Sequence, residues 1–284
     1  MLRFEEVVGD LGFVEGPVWT GNSLVVTSIT RGLLYEFAMR GAAIRTYASP
    51  GGGPNGLACS ADGIVWAAQG GGGHFNMEYA SKRRPGLLRI TSDGTVGYAI
   101  DSGVTAPSDC AFGPGGLLWF TDPQETFEAP APGQLMTYDP ASGTATKVST
   151  DEQYPGGFYP NGIAFGLDPS TLYVADTKNR RVLQYDVSEG ALSAPRLFAE
   201  CRGFPDGLAV DADGNLYVAL LTKDAIAVHS PSGDLLDRIE IPGSGPTNLC
   251  FAGEGLRTMV ITASKGGRVL VADAPTPGLR LHAP

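Results

Sequence analysis

PDGLAVDADGNLYVAL, residues 205–220, is the stretch on which the fold turns. It reads as a proline, a polar residue and a glycine, then a short apolar run, an Asp-Gly turn, and a second run rich in β-branched and aromatic residues. Working outward, the phrase recurs as PNGLACSADGIVWAA from Pro54, PSDCAFGPGGLLWFTD from Pro107 and PNGIAFGLDPSTLYVAD from Pro160. Weaker copies start at Val14 (VEGPVWTGNSLVVTS) and Pro246 (PTNLCFAGEGLRTMVITA). The second residues of the copies, Glu15, Asn55, Ser108, Asn161, Asp206 and Thr247, follow one another at steps of 40, 53, 53, 45 and 41. A recurring unit of that length suits four short strands, the size of a propeller blade. The fold class expected is all-β, a six-bladed β-propeller over residues 1–284 as a single domain, with the strand near Phe4–Val8 completing the last blade. A barrel or sandwich would also be all-β, but neither explains six spaced copies of one phrase.

Composition agrees. Forty glycines and 21 prolines are too many for a helical bundle, whereas 43% hydrophobic residues are too many for a disordered chain. No apolar run approaches the ~18 residues of a membrane span, and the acidic start MLRFEEVVGD does not resemble a signal peptide. The expectation is a soluble, cytoplasmic protein without a membrane or nucleic-acid partner, since a net charge of -10 opposes phosphate backbones. A monomer or weak homo-oligomer acting on a small molecule fits. Cys59, Cys110, Cys201 and Cys250 form no CxxC pair and read as small apolar residues, secretion with disulfides being the alternative. Three histidines cannot supply a His-rich metal centre, so any ion must rely mostly on oxygen.

Equivalent positions of a radial fold converge on its axis. Glu15, Ser108, Asn161 and Asp206 would then bring two carboxylates, an amide oxygen and a hydroxyl to one channel mouth. Nearby carboxylates repel unless a cation or proton lies between them. Oxygen ligands select a hard divalent ion. Any single Asn-Gly or Asp-Gly reads more simply as a turn. A turn needing one chemistry, however, would not alternate between Glu, Asn, Ser and Asp, and Glu15 is a poor turn residue.

The EGPVW, PSDxAF, WFTD, YPNGIAF, YVADT and PDGLAVDADGNLYVA phrases, in this order, resemble the senescence-marker-protein/gluconolactonase/LRE-like family of six-bladed propellers. The resemblance implies a single divalent metal ion held by Glu15, Asn161 and Asp206. Calcium is the first choice, with magnesium, manganese or zinc as alternatives. It also implies hydrolysis of a lactone, a sugar aldonolactone first, through a polarised carbonyl and an activated water, with Asp206 as catalytic base or water-orienting group. Relatives commonly have an Asn in an Asn-Asp-Gly phrase where this chain reads Ser108-Asp109-Cys110. Expected substrate contacts are Ser108, Asp109, Asn55, His74, Trp19 and Tyr159, with Asn248 also at the mouth. The long segments 69–86 and 122–133 either shape that mouth, through His74, Phe75, Asn76 and Arg84, or are solvated loops. Trp66 and Trp119 are expected to pack between blades, and His229 to be a structural strand residue. The competing functions are a phosphotriesterase-like or promiscuous ester hydrolase on the same metal site, and a non-catalytic metal-binding propeller.

Overall fold

The computed structural model describes residues 2–38, 44–71, 77–129 and 131–282. Six antiparallel sheets follow one another along the chain, five of four strands and one of five. Their innermost strands are Val14–Trp19, Pro54–Cys59, Cys110–Phe112, Pro160–Phe165, Pro205–Val210 and Pro246–Ala252, in blades 1 to 6. These are the repeated phrases. Blade 6 is completed by the N-terminal strand Glu5–Val8, which pairs with Arg268–Asp273 and places Glu5 opposite Val271. This join closes the ring, and the radial repetition leaves each blade only a short outer edge. Blade 4 has a small extra hairpin, in which Ala191–Leu192 pairs with the third strand.

The core lies between the blades. Six apolar clusters form, each fed by two neighbouring sheets. Trp66 packs against Phe112 and Tyr138 between blades 2 and 3, and Trp119 packs edge-on to Phe165 between blades 3 and 4. His229 is buried in its strand, where Nδ1 lies 3.1 Å from the carbonyl oxygen of Gly233. All four cysteines are free. Among the described residues no helix is long and apolar enough to cross a membrane.

Threonines stitch the inner strands together. Thr27 Oγ1 donates to the carbonyl of Asn55 at 2.8 Å, Thr121 to Asn161 at 2.8 Å, Thr177 to Pro205 at 2.6 Å, and Thr247 to Val14 at 2.8 Å. Each bond runs from one blade to the inner strand of the next, which fixes the rotation between sheets. Thr177→Val keeps the shape but leaves the bond unmade. It is expected to cost about 1–2 kcal/mol and to lower Tm by roughly 2–4 °C in calorimetry.

Candidate active site

In five blades the ladder between first and second strands slips at the repeated phrase, for example between Pro160 and Ile163 and between Pro205 and Leu208. Such a bulge bends the strand and re-aims a side chain. Here Asn161 hydrogen-bonds Asp206, and the charge of Glu15 acts on Asp206. The following glycines are required by close approach. A Cβ on Gly16 would lie 2.2 Å from the carbonyl oxygen of Asn55, and one on Gly162 would lie 2.2 Å from that of Asp206. The Asn-Gly and Asp-Gly pairs of blades 2, 4 and 5 therefore belong to inner strands, not turns.

The markers are joined in two hydrogen-bonded arcs. Asn55 Nδ2 donates to Ser108 Oγ at 3.2 Å, and Ser108 Oγ donates to Asn161 Oδ1 at 2.9 Å. The Asn161 side chain in turn bonds Asp206. Glu15 accepts from its neighbour Gly16 N at 2.8 Å and is bonded by the side chains of Thr247 and Asn248. One residue further along the strands, Asp109 and Asn248 fill the space that glycines leave open. A Cβ on Gly56 would meet Asp109 Oδ1 at 2.0 Å, and one on Gly207 would meet Asn248 Oδ1 at 2.1 Å. Asp109 accepts from Cys110 N at 2.9 Å and Ile163 N at 3.3 Å, and Asn248 bonds it as well as Glu15.

Three carboxylates are thus enclosed together. Burial raises Glu15 to about 7. Burial, then the charge of Glu15, raises Asp109 to about 8. Asp206 is pushed well up by burial and by both neighbours. Among the described residues no Lys, Arg or His forms an ion pair with any of them. Buried carboxylates without a counter-charge must hold protons or a cation. The donors are all oxygens, which fits a hard divalent ion. No three His, Cys, Asp or Glu residues among those described are grouped closely enough to hold one by themselves, and the amide oxygen of Asn161 is a further oxygen donor beside Asp206. Its Oδ1 has a second lone pair beyond the one Ser108 occupies.

The chain matches the model of the SMP-30/Gluconolactonase/LRE-like region over residues 13–265. It belongs to that family. Among family relatives, 6-deoxy-6-sulfogluconolactonase of Pseudomonas putida is 28% identical, covering 93% of this chain and 88% of its own length. A gluconolactonase of Zymomonas mobilis is 25% identical, covering 92% and 78%. The solved structure of a gluconolactonase from Xanthomonas campestris superposes with a TM-score of 0.81 at 23% identity, over 96% of this chain and 90% of that one, a likeness of fold.

The remaining expected substrate contacts divide. Asn55 and Ser108 lie in one arc with Asn161 and Asp206. Asp109, the next residue after Ser108, is also buried, with its carboxyl over Gly56. Tyr159 stands beside Asp206, whose charge, after burial, raises its phenol. Trp19 is a correction. It pairs with Leu24 at the far end of its strand from Glu15 and packs between blades 6 and 1, because the strand runs away from the mouth. His74, Phe75 and Asn76 lie outside the described residues. Arg84 is ion-paired with Asp101 at 2.7 Å.

Both long segments join second to third strands, on the face where the markers open. Part of the first is pinned there, since Ala80 N donates to Thr30 O and Gly52 N to Ser81 O, both at 2.8 Å. The second helps enclose a cleft of about 270 Å³ with Phe127, Tyr154, Phe158, Tyr159 and Lys178. A concavity of about 350 Å³ lined by Pro114, Trp119, Pro169 and Glu189 belongs to the opposite face, away from the carboxylates. Two residues were missed from sequence. Asp122 accepts from Ala106 N at 2.6 Å and Thr105 N at 3.0 Å, and Asp176 accepts from Tyr159 N at 3.2 Å. Each ends a second strand, in the WFTD and YVAD phrases, and clamps a mouth loop. Their shared position was the available signal.

Proposed function

We propose that this protein is a divalent-cation-dependent lactonase, with a sugar lactone as substrate. The observation carrying the reading is the enclosure of Glu15, Asp109 and Asp206 beside a fixed amide, in a family whose relatives include named gluconolactonases. Glu15, Asn161 and Asp206 would hold the ion, which when bound polarises a lactone carbonyl and acidifies water. Calcium suits an all-oxygen set that includes a neutral amide.

The chain's own groups do the rest. Ser108 fixes the Asn161 amide so that its oxygen and nitrogen cannot exchange places, and the nitrogen side is left for Asp206. Asp206 carries the base role: it orients the attacking water and accepts its proton, then returns that proton to the ring oxygen as the acyl C–O bond breaks, so that the ring oxygen leaves as the hydroxyl of the opened acid. Asn248 joins Glu15 to Asp109 and holds both carboxylates against their repulsion. Tyr159 walls the mouth beside Asp206, limiting water to what reaction requires.

A panel of aldonolactones and simple esters, followed by proton release, tests the proposal. Lactone opening is expected, lost on treatment with chelator and restored by calcium or another divalent ion. Absence of hydrolysis under every ion would overturn the enzyme reading, and hydrolysis indifferent to chelator would overturn the role of the ion.

A further inference from the structure

Blade 4 places two cations, Lys178 and Arg180, beside the aromatic side of the cleft. Its turn Thr177-Lys178-Asn179-Arg180 opens on the mouth face and contains no acid. Asp176, the nearest carboxylate, is occupied by Arg181 Nε at 2.9 Å and Asn179 Nδ2 at 2.8 Å. Elsewhere on that face Arg84 is paired with Asp101 and Lys265 with Asp224, at 2.7 and 2.8 Å. Among the described residues neither Lys178 nor Arg180 forms an ion pair. Glu125 and Glu128, in the neighbouring loop, are exposed and do not line the cleft.

The backbone supports a purpose for Arg180. Its φ is 53°, in the left-handed region, as at the corresponding last turn residues Gly32 and Gly267 of blades 1 and 6 and Asp224 of blade 5, with φ of 66°, 57° and 51°. An arginine there costs free energy that glycine would not. The conformation sets its guanidinium 5.2 Å from the centre of the Phe204 ring. Phe204 meets Phe127 at 5.5 Å, and Phe127 meets Tyr159 at 4.8 Å, beside Asp206. Lys178 lines the same cleft, its Nζ 2.9 Å from where a Cβ of Gly157 would stand. An aromatic wall thus leads from the carboxylate site to a pair of cations.

We infer that Lys178 and Arg180 bind an oxyanion substituent, a phosphate, sulfonate or carboxylate, on the sugar lactone whose ring lies against Phe127 and Tyr159. The inference rests on the lactonase reading for the ring and on the cleft for the substituent. Two cations beside an aromatic wall, in a chain of net charge -10, select for charge at that end. A neutral lactone would leave Lys178 without a counter-charge.

The test has a catalytic and a binding arm. In the first, kcat/KM is compared for an aldonolactone and its 6-phosphate, with the K178Q, R180Q and double variants. The charged substrate is expected to be preferred at least ten-fold, the preference shrinking in 0.5 M salt and falling about ten-fold in each single variant. In the second, calorimetry measures glucose 6-phosphate, the 6-sulfonate, glucuronate and glucose, none of which contains a lactone. Tighter binding of one or more charged sugars, lost in the double variant, supports the site and ranks the oxyanions. A preference near unity in either arm, or one the double variant retains, overturns it. Charged-sugar binding without hydrolysis of any lactone would leave the anion site standing and remove the lactonase reading.

Discussion

Asp206→Asn is expected to lower kcat/KM for lactone opening by about 10³ while making the cation-free protein more stable at pH 8. The first effect follows from deleting a base and an anionic ligand with one atom change, a loss within the 10²–10⁴ typical of general-base removal. The second follows from the burial of Asp206 beside Glu15 and Asp109, whose charges both raise it. An amide of the same shape carries no charge to desolvate and can still meet Asn161. Asn161→Ala provides the contrast. It strips Ser108 Oγ of its 2.9 Å acceptor and is expected to lose both activity and stability. Steady-state kinetics and scanning calorimetry in chelator check both variants. Full activity in Asp206→Asn would remove it from the mechanism, and a lower cation-free Tm than wild type at pH 8 would show that the three carboxylates do not strain the fold.

The ring architecture was legible because each blade repeats its chemistry. Pro54, Pro160, Pro205 and Pro246 open four inner strands, each followed by the polar residue of the repeated phrase. The closing strand was legible because a closed ring needs a join. What single residues do was harder to read. Trp19 lies only four positions after Glu15, yet an extended strand rises ~3.3 Å per residue, enough to carry it out of the mouth. Asp109 was expected beside Ser108 at the mouth, and nothing in the sequence signalled that its carboxyl would fill the gap over Gly56. The pairing of Asp109 with Asn248 could not be read at all. They come from blades 3 and 6, half a ring apart, and only closure brings them together. Lys178 and Arg180 likewise gained meaning only when Phe204 and Phe127 were seen beside them.

Without a divalent ion, thermal stability is expected to fall steadily from pH 5 to pH 9, and saturating calcium should flatten that decline. The sign comes from the direction of the shifts. Glu15 moves from 4.5 to about 7 and Asp109 from 3.8 to about 8, both chiefly through burial, and Asp206 moves the same way. The folded state therefore binds more protons than the unfolded chain between roughly pH 4 and pH 8. The stability these groups contribute is complete below their unfolded values and is lost as pH rises through their folded ones. For Glu15 alone the shift corresponds to about 3 kcal/mol, at ~1.4 kcal/mol per pKa unit. Groups of opposite sign act elsewhere. Asp62, held below its usual range by the hydroxyl of Ser60, weakens the fold only in acid near its own titration. His229, pushed down by burial, opposes the trend only below about pH 6.5. A bound ion does what the protons did, so binding should also release protons near pH 7, in a number obtained by calorimetry in buffers of different ionisation enthalpy. A flat cation-free Tm across this range, or calcium binding without proton release, would mean that Glu15, Asp109 and Asp206 do not share one charge-starved enclosure.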